Sequence, residues 1–199
     1  QDDWIYGSDR YKIATWDFAM TSPHKPQTEI FFQGTMFSLD FLQHILVEQI
    51  MRYKMSLKGF LLIHGGCIAE RTGSVLFVGP GDCGKTTLAL QQVYEGWAFQ
   101  ADDYTLVSPR GESLSYPRRL HISHHLRTVC PEIYRDLSLR RKLSMKGKRL
   151  GYYLTLTYGN LSEALPIAEA IPGGKIQNTA KLRSVLIMVP HTGAAVKGP

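Results

Sequence analysis

An apolar strand that breaks into a glycine-rich turn and restarts as a helix can be built in few ways, and residues 75–87 spell one of them out. Val75 to Val78 are strand-forming. Gly79, Pro80, Gly81, Asp82, Cys83, Gly84, Lys85 and Thr86 then fit the phosphate-loop pattern GxxxxGK[ST]. A helix-forming stretch from Thr87 to Glu95 follows at once. In such a strand–loop–helix, the backbone N–H groups of the loop and the positive end of the helix dipole face one point, which suits a polyphosphate. Residues Gly79 to Thr87 are therefore expected to bind a nucleoside triphosphate, ATP. Lys85 is expected to reach the outer phosphates, and the Thr86 hydroxyl to join a Mg²⁺ shell.

The rest of the composition narrows the setting. A chain of 199 residues, 44% hydrophobic and 20% charged, can bury one core or one domain with an accessory lobe. No apolar run approaches the roughly 18 residues that cross a bilayer, so no membrane partner is expected. Cys67, Cys83 and Cys130 show no CxxC spacing, which argues against a zinc site and fits a reducing compartment. The first residues carry neither a basic n-region nor a small-residue cleavage site, so a cytoplasmic location is expected. A net charge of +6 points to an anionic partner. Without an aromatic-interleaved RNA or DNA module, nucleic acid is not the expected one. The chain lacks an initiator Met and stops without a terminal helix, as expected of part of a longer protein.

Taken in order, residues 1–58 read as a small N-terminal β lobe with a packing helix, and residues 59–199 as the phosphate-loop core. The early aromatic and β-branched runs, Trp4-Ile-Tyr6, Tyr11 to Trp16 and Glu29 to Phe32, fit either a separate lobe or edge strands of the main sheet. The proline-bearing stretch from Thr21 to Pro26 is a loop. Ser38 is placed to cap a helix running from Leu39 to about Met55. Leu39, Leu42, Leu46, Ile50 and Tyr53 recur at helical spacing there, and Ile45 widens the stripe.

Two apolar runs joined through Glu70-Arg-Thr-Gly73 form a hairpin signal. If Ala69 pairs with Ser74, His64 lies opposite Gly79, at the mouth of the phosphate loop. Beyond the loop helix, Gly96 is a natural stop. Trp97 to Ala101 is a short strand with Asp102 and Asp103 at its carboxyl end. In a right-handed βαβ unit that is the end bearing the phosphate loop, so both carboxylates are placed to meet Mg²⁺ or a substrate hydroxyl.

Tyr104 to Val107 and Ser113 to Tyr116 suggest a second hairpin, continued by Pro117 to Ile122. Residues 132–149 are strongly basic, through Arg135, Arg140, Arg141, Lys142, Lys146, Lys148 and Arg149. That segment fits a solvated face or mobile loop. It also fits an anion-docking segment serving acidic groups of an acceptor or transition-state charge. Gly151 to Tyr158 reads as a strand, Ile171 to Lys175 as a loop, and Leu182 to Val189 as a buried strand.

Taken together, the His-Gly of Leu62-Ile-His-Gly65, the loop Gly79 to Thr86, and Ala101-Asp-Asp103 resemble the HPr kinase/phosphorylase family in type and spacing. That family shares its nucleotide fold with phosphoenolpyruvate carboxykinases. Shorter relatives, including kinases encoded with lasso-peptide biosynthesis genes, also resemble this chain in Tyr116-Pro-Arg118 and in a strand like 182–189. The larger enzymes' metal-binding Glu has no match, since His124-His-Leu-Arg127 carries Arg127, so the shorter relatives are the better comparison.

The resemblance implies an α/β fold with a mixed sheet of the HPr kinase C-terminal-domain type, plus a small N-terminal β-plus-helix lobe. It implies ATP and Mg²⁺ as cofactors, with Asp102 as catalytic base and Asp103 joining Thr86 at the metal. His64 would sit beside the reacting phosphates and Lys85 on the outer ones. The implied acceptor is a hydroxyl, Ser of a peptide or protein such as a lasso-type precursor. A homo-oligomer is compatible with the resemblance. Two other readings stay open: a kinase for a sugar or free serine, and a nucleotide-binding regulatory module without transfer.

Overall fold

Local pairing signals dominate the first third of the chain. In the computed structural model, residues 3–39, 42–81, 83–116, 120–123, 125–154 and 162–189 are described. The chain is mixed α/β and divides into two units, Gln1–Leu62 and Ile63–Pro199. In the first, β1 (Trp4–Tyr11), β2 (Ala14–Thr21) and β3 (Ile30–Gly34) form an antiparallel sheet in sequence order. The pairing of Tyr11 with Ala14 leaves Lys12 and Ile13 as a two-residue turn. Alternation along β2 buries Ala14 and Trp16 and exposes Thr15 and Asp17, as one covered face requires.

The helical part of this unit departs from the sequence expectation. A 3₁₀ turn (Met36–Ser38) and a π-helical segment (Leu42–Val47) precede α1 (Glu48–Leu57). Ser38 lies inside the 3₁₀ turn, and its hydroxyl donates to the Thr35 carbonyl at 2.6 Å instead of capping a helix. The wider π winding also shifts the apolar stripe. Leu46 is buried, but Leu39 and Ile45 are exposed, so Ile45 does not widen the covered face. The Lys54 ammonium donates to the carbonyls of Lys25 and Pro26, tying α1 to the Thr21–Pro26 loop.

The second unit is organised by a sheet. In chain order its elements begin with β4 (Leu61–Glu70), β5 (Gly73–Val78), α2 (Lys85–Tyr94), β6 (Ala98–Ala101), β7 (Tyr104–Val107) and β8 (Glu112–Leu114). Then come β9 (Leu120–Ser123), α3 (Leu126–Val129), α4 (Pro131–Asp136) and α5 (Leu139–Leu154). The last are β10 (Ser162–Leu165), α6 (Ile167–Ala170), β11 (Lys175–Ile176) and β12 (Thr179–Ile187). The main sheet has the order β11-β6-β4-β5-β12-β8-β7, and β7 also pairs with β4. Strands β4, β5, β12, β8 and β7 thereby close into a five-stranded ring.

The β4–β5 hairpin has the expected register: Ala69 pairs with Ser74 and Gly65 with Val78. Strand β6 runs parallel to β5 but is not its neighbour, because antiparallel β4 lies between them. The carboxyl ends of β5 and β6 and the start of β4 consequently share one edge of the sheet.

Period-two alternation sorts the side chains of these strands into two cores. Ile68, Val75 and Phe77 face the helices, packing with Leu90, Phe99, Ile122 and Met145. Cys67, Leu76 and Val78 face the other side, with Val107 and Ala101. That second side also holds a buried polar network. The Ser113 hydroxyl donates to Gln100 Oε1 at 2.7 Å, the Cys67 thiol to the same oxygen at 3.1 Å, and Ser74 and Ser113 hydroxyls meet at 2.6 Å. Each member is satisfied, so the network fixes register without an unpaired-group penalty.

Three late expectations are corrected. Strand β9 does not continue the β7–β8 hairpin; it pairs with β10 in a separate two-stranded sheet. Gly151 to Leu154 belong to α5 rather than to a strand, because the helix begun at Leu139 carries through them; residues 155–158 of that expectation lie outside the described residues. Finally, β12 is not buried along its length. Val185, Leu186 and Ile187 are exposed, because β8 pairs only with Thr179 to Lys181 and leaves the outer half with β5 alone. No helix among the described residues is long and apolar enough to cross a membrane.

Candidate functional site

The shared sheet edge opens into a cleft of about 980 Å³. Its walls include His64, Gly81, Cys83 to Leu88, Gln91, Asp103, His121, His125 and the apolar side chains of Ile122, Leu126, Val129 and Met188. The mixture of convergent polar groups with apolar walls suits a ligand that is part charged and part hydrophobic.

The phosphate loop is shaped by two glycines. Gly84 has φ +93°, in the left-handed region where a side chain is strained, and its carbonyl accepts the first helical bond, from Leu88 N–H at 2.9 Å. Gly79 is needed for close approach, since a Cβ there would lie 2.6 Å from the Met188 carbonyl oxygen and 2.8 Å from Cys83 Sγ. The end of β12 is thus packed against the loop, where Met188 N–H also donates to the Val78 carbonyl at 2.7 Å. The turn so made puts the N-terminus of α2 on the cleft. Asp82 lies outside the described residues.

Lys85 is 7% exposed, and its ammonium donates to the carbonyls of Gly79 (2.9 Å) and Pro80 (2.7 Å), with Cys83 Sγ 3.9 Å away. The cation is held within the curve of the loop. The Thr86 hydroxyl donates to Asp102 Oδ1 at 2.6 Å, joining the loop to the end of β6. The other Asp102 oxygen accepts from the His121 backbone N–H at 3.3 Å, and the residue is 3% exposed. Asp103, by contrast, is half-buried and lines the cleft. Its carbonyl accepts from Gly65 N–H at 3.0 Å, which ties the Asp pair to β4 one residue from His64. Thr105 Oγ1 reinforces the tie by donating to the Gly65 carbonyl at 2.8 Å. His64 is exposed and packs edge-to-face with Tyr104, ring centroids 5.2 Å apart.

His64, Lys85, Thr86 and Asp103, identified from sequence, therefore meet in one cleft, and Asp102 stands directly behind Thr86. Sequence reasoning missed His121, His125, Gln91 and Met188. The His residues at 121 and 125 flank the entry to α3, but that signal is weak without knowing that β9 leaves the second hairpin.

The oxygen donors present fit Mg²⁺. Thr86 and Asp102 offer a hydroxyl and a carboxylate in contact, and magnesium is characteristically bound by one or two carboxylates together with substrate phosphates. Among the described residues no group of three or more His, Cys, Asp or Glu could form an all-protein cage.

The three cysteines are free. Burial pushes the Cys67 thiol up to about 11, against smaller opposing effects of Ser113, Ser74 and Thr105. Burial, helped by the Glu132 charge, does the same to Cys130. Cys83 is half-buried and lies on the cleft wall.

Compared with known proteins, the sequence matches no protein-family model and no curated protein.

Proposed function

We propose that this chain is an ATP-dependent phosphotransferase of the HPr-kinase-like, phosphate-loop type, moving the γ-phosphoryl group of ATP to a hydroxyl, Ser of a peptide or protein. The observation that carries the reading is the hydrogen bond from Thr86 to buried Asp102, with Asp103 and His64 on the wall of the same cleft. A module that only binds nucleotide needs the loop and a metal-side carboxylate. It has no need of a second carboxylate and an imidazole beside them.

The geometry favours exchanging the roles that the family resemblance implies for the two aspartates. Asp102 is enclosed and both its oxygens accept hydrogen bonds, which suits a residue that holds Mg²⁺ together with Thr86. Asp103 reaches the cleft, which a general base must do before its proton affinity matters.

In this scheme the acceptor hydroxyl oxygen attacks the γ-phosphorus as the bond to the bridging oxygen breaks. Asp103 takes the hydroxyl proton, ADP leaves with the bridging oxygen, and a phosphate monoester remains. Lys85 and the N-terminus of α2 balance charge on the phosphates, and His64 orients Asp103 or a phosphate oxygen. Mg²⁺, when bound, supplies further neutralisation of phosphate charge. Positioning and charge compensation are the main demands of phosphoryl transfer.

Incubating the protein with Mg-ATP and peptides from neighbouring genes, and weighing the products, tests the reading. A gain of one phosphate on a Ser is expected. Asp103→Asn should lower turnover about 10²-fold or more while ATP binding persists, and Asp102→Asn should raise the Mg²⁺ needed for half-maximal rate. ATP binding without ADP release, across peptide, sugar and free-serine acceptors, would leave the regulatory module as the surviving reading.

A further inference from the structure

Helix α5 carries Arg140, Arg141, Lys142, Lys146, Lys148 and Arg149, and no acidic residue between Leu139 and Leu154. Two of these cations are committed to seating the helix. Arg141 pairs with Glu169, and Lys142 donates to the Arg135 carbonyl at 2.7 Å with its ammonium 5.7 Å from the Tyr134 ring centroid. Met145 is fully buried on that side. Arg140, Lys146, Lys148 and Arg149 are exposed.

The outer side is apolar as well as basic. Leu139, Leu143, Leu150 and Tyr153 are 71%, 57%, 61% and 64% exposed. At 3.6 residues per turn they fall within a strip about 80° wide. Scattered exposed leucines need no explanation, but a continuous strip on one helix does. A purely solvated face would not be built this way. Gly147 lies beside the strip, and a Cβ there would meet nothing within 4 Å. Glycine inside a helix costs stability, and here it leaves room for a second backbone to come close.

From these features we infer that the outer face of α5 docks an acidic, apolar segment of the peptide acceptor, at a distance from the reacting hydroxyl. The inference rests on the peptide-kinase reading. Charge complementarity selects the partner: a carboxylate-rich segment neutralises Lys146 within the strip and Arg140 and Arg149 on its two flanks, while its apolar side chains cover the leucines. Lys146 lies within the apolar strip itself, between Leu143 and Leu150. A helix lying in a bilayer interface keeps its cations on the polar face, so a cation in the strip disfavours a lipid surface. A peptide can set a carboxylate opposite that lysine between two apolar residues. Transition-state charge is not the purpose assigned to this segment, since none of the described side chains of α5 lines the cleft. The helix is about 24 Å long, enough for about seven residues of extended peptide.

The test is fluorescence anisotropy of a labelled peptide of alternating Glu and Leu, beside its Lys–Leu counterpart, with co-sedimentation on phosphatidylcholine–phosphatidylglycerol vesicles. The wild type should bind the Glu–Leu peptide in a salt-sensitive way and ignore the Lys–Leu one. Lys146→Gln with Arg149→Gln should weaken binding about tenfold, and so should Leu143→Ser with Leu150→Ser, with unchanged circular dichroism in both pairs. No binding by the wild type, or binding that neither pair alters, overturns the proposal. Vesicle binding that exceeds peptide binding reassigns the face to a membrane. Because the readout is binding, loss of docking with phosphoryl transfer intact refutes α5 alone, and docking without transfer refutes the kinase reading alone.

Discussion

Lys85 and Lys146 bring the same charge into opposite surroundings. Lys85 is nearly enclosed, with two loop carbonyls at hydrogen-bond distance from its ammonium. Lys146 stands in the open on α5, among leucines and other cations. In the cleft a charge is valuable for where it is, because low dielectric magnifies an interaction and fixed geometry spares reorganisation. On the helix a charge is valuable for how many others accompany it, and salt erodes the benefit. On the proposed reading, one chain contains a site that works by position and a surface that works by density.

The comparison breaks most visibly at Lys85. Lys85→Met should reduce ATP turnover by about 10²–10³-fold, as removal of a single preorganised charge from an active site commonly does. Measured as ADP release, that loss should stay nearly constant between low and high salt. If salt abolishes the difference, Lys85 acts as a surface charge does.

Thiol labelling sharpens the contrast between enclosed and accessible groups. At pH 8 a thiol pushed up to about 11, like those of Cys67 and Cys130, is only about 0.1% thiolate, and both are buried as well. Iodoacetamide should therefore modify Cys83 first, with the other two following only on unfolding. Mg-ATP should slow the reaction at Cys83, because that residue lies on the cleft wall. Peptide mapping against time reads the order directly.

The smallest expected effect is on α5. Arg140→Gln with Lys146→Gln should change unfolding free energy by no more than about 0.5 kcal/mol, as usual for exposed positions. Urea denaturation checks it. A larger loss would mean that the cations help to hold the helix in place, as Arg141 and Lys142 do.

Sequence alone revealed the cleft better than it revealed the sheet. The β4–β5 register was legible because a short turn fixes it locally, and His64 followed from it. Phosphate loop, helix and Asp pair were legible for the same reason, each being close to the next along the chain. What stayed hidden depends on distant segments. That β4 separates β5 from β6 cannot be read from either strand. Nor can the pairing of β9 with β10, whose partner is some forty residues away. Tyr152 and Tyr153 suggest a strand by propensity, yet the helix begun at Leu139 runs through them, a case of context overriding a weak local preference. The exchange of roles proposed for Asp102 and Asp103 was likewise invisible, since burial separates them and adjacency in sequence does not.

The turn between β4 and β5 is two residues long, Arg71 and Thr72, with Glu70 already paired to Gly73. It stands about 20 Å from His64, at the rise of an extended strand. That tight bend works as a spirit level for the far end of the hairpin, where chain length matters a great deal. One residue inserted in β4 between His64 and Glu70 would turn His64 from one face of the strand to the other, away from the rest of the cleft. The hairpin is therefore intolerant of insertion, and a sequence drifting over time must keep the number of residues between His64 and the bend.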